Sequence, residues 1–282
     1  MFSTRPPAEP KAVLPTLELS GASLHSGLED LSKAAEPGGG IEAYLTVLRF
    51  KAGLFAEWFS GKQSAALDLP RFLGLCTFMP TVRRRIGPWL EQNDFADLHR
   101  LLLLLVQPEG TVQSRLDAFT TRFPEGRGTR WVRDLAAEVL HFTAPDEVPL
   151  MTRWMWDAHT GSGVLREIWF EEGAPLDPRT IGDSHATFAA LQGELQAFLR
   201  DNGVYREFAL MQDLLCAHIY ARYINDRGST FLKGDFAGTQ DAMAHTRRLL
   251  GLDCCERDGI RMKVKLPESM TAQLAPPLQL NA

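Results

Sequence analysis

The feature that most limits what this chain can become is the step at which its apolar side chains recur. Over nearly the whole length that step is three or four residues, the period of an α-helix with one buried face. "VYREFALMQDLLCAHIYARYI", from Val204 to Ile224, is the longest such run. "IEAYLTVLRFKAGLFAEWF" sets Tyr44, Val47, Leu48, Leu54, Phe55, Trp58 and Phe59 on one wide face. In "TRWVRDLAAEVLHF", Trp131, Leu135, Val139 and Phe142 form a stripe that His141 helps to close. Only "IRMKVKL", near the end, alternates as a strand would. The expectation is an all-α fold: a globular bundle of roughly ten helices with at most one short strand pair near the C-terminus.

Punctuation residues divide the pattern. Asn93 or Asp94 can cap "FADLHRLLLLLVQ", which Pro108 and Gly110 close, and Ser184 can cap "HATFAALQGELQAFLRDNG" before Gly203. "EPGGG" at 36–40 stops a short helix that starts near Ser26. "TVRRRIGPWLEQ" reads as a short cationic helix, and "LMTRWMWDAH" as a helix with Pro149 in its first turn. Thr239 is the expected cap, and Gly251 the expected left-handed end, of a last helix. Residues 1–20 are proline-rich and patternless, which suggests a flexible arm. A loop at 171–183 would separate helical subdomains at 21–170 and 184–282, unless these form one continuous domain.

Composition excludes some classes. With 282 residues, 45% of them hydrophobic, the chain can bury a core of its own. A net charge of −5 argues against a dedicated nucleic-acid binder, which carries a basic footprint. The most apolar run, "LLLLLV" at 101–106, is far shorter than the ~20 residues a membrane span requires. "MFSTRPPAEPKAVLP" shows no apolar leader, so a cytoplasmic protein is expected. Cys76, Cys216, Cys254 and Cys255 form no Cys-x-x-Cys and are expected to stay reduced.

Chemistry-bearing residues concentrate in "HFTAPDEVPLMTRWMWDAHTGSGVLREIW", His141–Trp169, with three tryptophans, two histidines and several carboxylates. One reading makes His141, Asp157 and His159 an acid/base set beside an aromatic wall. The favoured one makes the tryptophans core and Asp157 a cap or the ion-pair partner of Arg153 or Arg166. A helix, a proline-framed turn and then an aspartate also resemble a segment of the helix-hairpin-helix DNA glycosylases, which would imply a catalytic role for Asp157. The similarity is confined to this stretch, and the family's glycine-containing, phosphate-binding hairpin is missing upstream.

Other signals are of binding. Arg83, Arg84 and Arg85 stand in a row but point in different directions around a helix, so one or two of them could face an anion or an acidic partner. Arg247 and Arg248 close another helix, where its dipole favours cations. "NDRGSTFLKGDFAGTQD", 225–241, is a polar loop suited to ligand or partner contacts, or simply a connection. His218 reads as a core or boundary histidine, too far around the helix from Asp213 for the two to share a metal. Neither metal-ligand spacings nor phosphate loops nor a nucleophile elbow occurs, so no metal and no cofactor are expected. The chain therefore reads first as a non-catalytic accessory or regulatory protein that binds another macromolecule, with a protein favoured over nucleic acid as partner. The alternative is an enzyme working through His141, Asp157 and His159, in one version on nucleic acid.

Overall fold

The computed structural model describes residues 15–170, 172–173, 175–177, 180–231, 243–256 and 259–266, with the side chains of the 208–231 helix described as far as Asp226. Within them lie eleven α-helices and one two-stranded ladder, an all-α architecture. In chain order the helices are α1 (Gly21–Ala35), α2 (Gly40–Phe59), α3 (Leu69–Thr77), α4 (Ile86–Leu90), α5 (Phe95–Val106) and α6 (Val112–Thr120). They continue as α7 (Trp131–Thr143), α8 (Val164–Glu167), α9 (His185–Asp201), α10 (Phe208–Phe231) and α11 (Ala244–Leu249). The ladder pairs β1 (Cys255–Glu256) with β2 (Gly259–Ile260) in antiparallel sense. No described helix is long and apolar enough to cross a membrane.

Local chemistry starts most of these helices. Ser20, Asp68, Asp94 and Thr111 each accept a hydrogen bond from a first-turn amide of the helix that follows. Ser184 precedes α9 in the same extended conformation but makes no such bond. Gly203 and Gly251 sit in left-handed conformation after α9 and α11, as their positions in the sequence suggest.

Packing centres on α7, of which eleven of thirteen residues are buried. It lies along the inner face of α2, with α5 and α6 on other sides. Meanwhile α10 touches α1, α2, α8, α9 and α11, so the C-terminal helices close over the same core. Residues within the expected N-terminal arm join it too: Leu17 is buried, and Ser20 donates its N–H to Ile168 O at 2.8 Å.

Three segments depart from expectation. "LMTRWMWDAH" is not helical but a chain of turns. Its amides are satisfied locally: Met155 N–H donates to Thr152 O, and Val164 N–H to Trp154 O at 2.9 Å. Glycine makes this path possible, because a Cβ on Gly163, at φ +128°, would lie 2.7 Å from Met155 O. In "TVRRRIGPWLEQ" only Ile86–Leu90 is helical, while 80–85 form turns. "IRMKVKL" contributes only Ile260 to the ladder. Thr239, and most of the 225–241 loop, lie outside the described residues.

Candidate functional site

Helix α7 carries three ionisable residues on one stripe, because positions 134, 138 and 141 recur at four- and three-residue steps. All three are buried, and each meets a partner from a different part of the chain. Asp134 takes the guanidinium of Arg153 on Oδ2 at 3.0 and 2.6 Å and its backbone N–H on Oδ1 at 3.1 Å.

Glu138 meets Lys51 of α2, whose side chain is wholly buried. The ammonium donates to Glu138 Oε2 at 2.9 Å, Phe78 O at 3.0 Å and Leu250 O at 2.9 Å. Phe78 and Leu250 are the residues that end α3 and α11. One cation thus serves two helix C-termini, where free carbonyls concentrate negative potential. It also sits 3.7 Å from the centre of the Phe142 ring. Burial pushes the Glu138 carboxyl up, and the attraction of Lys51 opposes that shift.

His141 donates Nδ1–H to Val148 O at 2.7 Å, and its Nε2 lies 2.7 Å from Asp213 Oδ2. A carbonyl can only accept, so Nδ1 carries a proton, and Nε2 is the nitrogen turned to the carboxylate. Beside the pair is a void of about 10 Å³, room for about one water molecule.

The α7 members of these pairs are buried and each is tied to a distant part of the chain, with only Arg153 partly exposed, so the pairs act as internal struts. The acid/base candidates do not assemble around them. Asp157 Oδ1 accepts from the backbone N–H of His159 at 3.0 Å and of Thr160 at 3.2 Å, capping a tight turn. Its Oδ2 lies 3.8 Å from Arg130, which takes the place expected of Arg153 or Arg166. His159 is exposed, and His141 faces Asp213. Trp156 is fully buried and donates Nε1–H to Ile181 O at 2.9 Å. Trp154, half-buried, begins a ladder of rings through Tyr220 (6.4 Å) and Tyr223 (5.9 Å).

The cationic candidates fare differently. Arg83 is buried and forms a two-pronged pair with Asp253 at 2.8 and 2.9 Å. Lys263 reaches the same carboxylate at 2.9 Å, and the two cations hold the Asp253 carboxyl below its usual range against the opposing effect of burial. Lys265 N–H donates to Arg83 O at 2.9 Å, which lays the C-terminal segment against the turn at 80–85. Arg84 and Arg85 are exposed there, with no ion pair among the described residues. Half-buried Arg247 and exposed Arg248, on α11, come just before the Gly251 turn that delivers Asp253. Sequence reasoning found these arginines but not the lysines that join them, nor Lys51 and Glu138, and it weighed Asp213 only against His218 and not as the partner of His141.

No family model, no curated protein and no solved structure matches the chain.

Proposed function

We propose that this chain is a non-catalytic accessory or regulatory protein that binds an acidic surface of another protein. The contact would run through Arg84, Arg85, Arg247 and Arg248, with Lys263 and Lys265 beside them. One observation carries this reading: cations from two distant stretches of a net-acidic chain meet, Arg83 and Lys263 on the Asp253 carboxylate and the Lys265 backbone on Arg83 O. Arg83 anchors the face from within, so its exposed neighbours can be contacted without disturbing the fold. An acidic protein suits the face better than a nucleic acid. Asp253 and Glu256 interrupt the positive field, and the overall charge repels a long polyanion. The side chains of His141, Asp157 and His159 are not paired with one another, since from His159 Asp157 takes only the backbone N–H and His141 faces Asp213, which further favours binding over acid/base catalysis.

The test compares capture from the native cell by the parent chain and by Arg84→Glu/Arg85→Glu, followed by titration of the captured protein. An acidic partner whose affinity falls at least tenfold on charge reversal, and falls with added salt, supports the proposal. The same proteins held equally by both baits would overturn it. So would an arbitrary DNA duplex that competes as well as the captured partner.

A further inference from the structure

The run "LLLLLV" at 101–106 belongs to α5. A helix turns about 100° per residue, so five consecutive leucines cannot all face inward. Leu98, Leu102 and Leu105 are buried, whereas Leu104 is 55% exposed. Beside it runs a groove of about 430 Å³ between α5 and α6. Leu101, Leu104 and Leu105 line it from α5, and Ala118 and Phe119 from α6.

The charged lining of this groove is mainly cationic: Arg115 and Arg122, with one carboxylate, Glu109. Arg115 donates Nη1–H to Leu105 O at 3.1 Å and to Gln107 O at 2.9 Å, which ties the end of α5 to α6. Its Nε is buried and has no hydrogen-bond partner among the described residues, a donor that the fold leaves over. Arg122, just beyond the end of α6, is exposed and has no ion pair among the described residues.

We propose that the α5–α6 groove seats an acidic amphipathic helix of a partner protein. Apolar side chains of that helix cover Leu101, Leu104 and Phe119, and its carboxylates meet Arg115 and Arg122. An apolar channel between two helices is the shape that takes such a helix. Charge selects an acidic one, and spacing selects a helix. The two arginines are seven residues apart, roughly two turns, with Ala118 and Phe119 between them. Carboxylates at i and i+7 around apolar residues at i+3 and i+4 repeat that order, whereas a fatty acid with one head group meets one cation only. This contact is separate from the Arg84 and Arg85 face and does not rest on it.

The probe is a synthetic peptide of about twenty residues, long enough to form a helix, built from Ala, Leu and Glu in that order of spacing and carrying a fluorophore. It is titrated with the full chain and followed by anisotropy. One control peptide has the same composition with the apolar period scrambled, and another has Lys in place of Glu. The Glu peptide should bind at least about tenfold more tightly than either control, and more weakly as salt is added. Leu104→Asp, at an exposed position, should weaken it at least about tenfold. Arg122→Glu should weaken the Glu peptide and strengthen the Lys one. Circular-dichroism melts that match the parent separate these losses from unfolding. Equal binding of the three peptides would overturn the proposal, as would binding unchanged in both variants. So would dodecanoate that displaces the Glu peptide and is itself lost in Leu104→Asp, since the occupant would then be an acyl chain. Sedimentation showing a dimer that Leu104→Asp disperses would also overturn it, because a second copy would then cover the groove.

Discussion

Replacing Lys51 with methionine keeps most of the side-chain volume and removes the charge. Three buried acceptors then lose their donor at once: Glu138 Oε2, Phe78 O and Leu250 O. Leaving a buried charge without its partner costs about 3–5 kcal/mol, and an orphaned carbonyl about 1–3 kcal/mol. Glu138 can limit the first cost by taking up a proton, because burial already pushes its carboxyl up. The expected loss for Lys51→Met is therefore roughly 3–5 kcal/mol in all. For a domain of this size that lowers the Tm by roughly 6–20 °C, at ~2–4 °C per kcal/mol. Lys51→Met/Glu138→Met removes the stranded carboxylate as well and should recover about 2 kcal/mol of the loss. Lys51→Arg keeps the charge, but a planar fork cannot meet three acceptors arranged around a compact ammonium, and about 1–3 kcal/mol is lost. Urea unfolding followed by tryptophan fluorescence measures all four chains. The reasoning fails if Lys51→Met stays within about 1 kcal/mol of the parent, or if the double variant is no more stable than the single one.

The remaining predictions concern other parts of the core. In Asp213→Asn the side-chain amide can still hydrogen-bond Nε2 of His141 while Nδ1–H keeps Val148 O, so the cost should be within about 1.5 kcal/mol; Asp213→Leu or His141→Leu strands the buried partner and should lose about 3–5 kcal/mol, and equal losses in denaturant melts would contradict this reasoning. Gly251→Ala should cost about 2 kcal/mol or more, because the added Cβ would lie 1.8 Å from Phe78 O in a left-handed residue. Gly203→Ala, equally left-handed but with nothing within 4 Å, should cost only about 1 kcal/mol, and thermal melts compare the two. Burial lowers the imidazoles of His185 and His218, so the unfolded chain binds more protons; stability should hold above the unfolded value of about 6.5 and fall as pH drops below it. His218→Gln should flatten that fall in melts taken between about pH 7.5 and 5, and an unchanged slope would contradict it.

Periodicity carried the helical architecture well, because the faces it predicts are the ones that are buried. The stripe Trp131, Leu135, Val139 and Phe142 is wholly inside, and Asp94 and Gly251 punctuate their helices as their chemistry requires. Periodicity misled at 150–159, where the pattern fits a helix but the chain turns. There the outcome depends on contacts with distant residues, such as Trp156 on Ile181 O, and on the left-handed Gly163. Lys51 did leave a trace. The apolar face of α2 steps from Leu48 to Leu54 and Phe55, skipping a turn, and Lys51 fills that gap. A charge inside an apolar stripe marks a buried partner, but nothing local says which. Glu138 lies 87 residues away and Leu250 199 residues away. The cationic face was legible only in pieces, because a backbone bond from Lys265 to Arg83 O brings the pieces together.

The ammonium at the middle of the core has an implication for how the chain is made. Its last ligand, Leu250 O, lies 199 residues beyond Lys51 and leaves the ribosome well after both α2 and α7. Until then α2 and α7 can meet, but the charge between them still lacks one of its three acceptors. Nascent chains that stop short of α11 should therefore stay loosely packed and open to proteases, and the molecule should tighten in one late step as its C-terminal segment arrives.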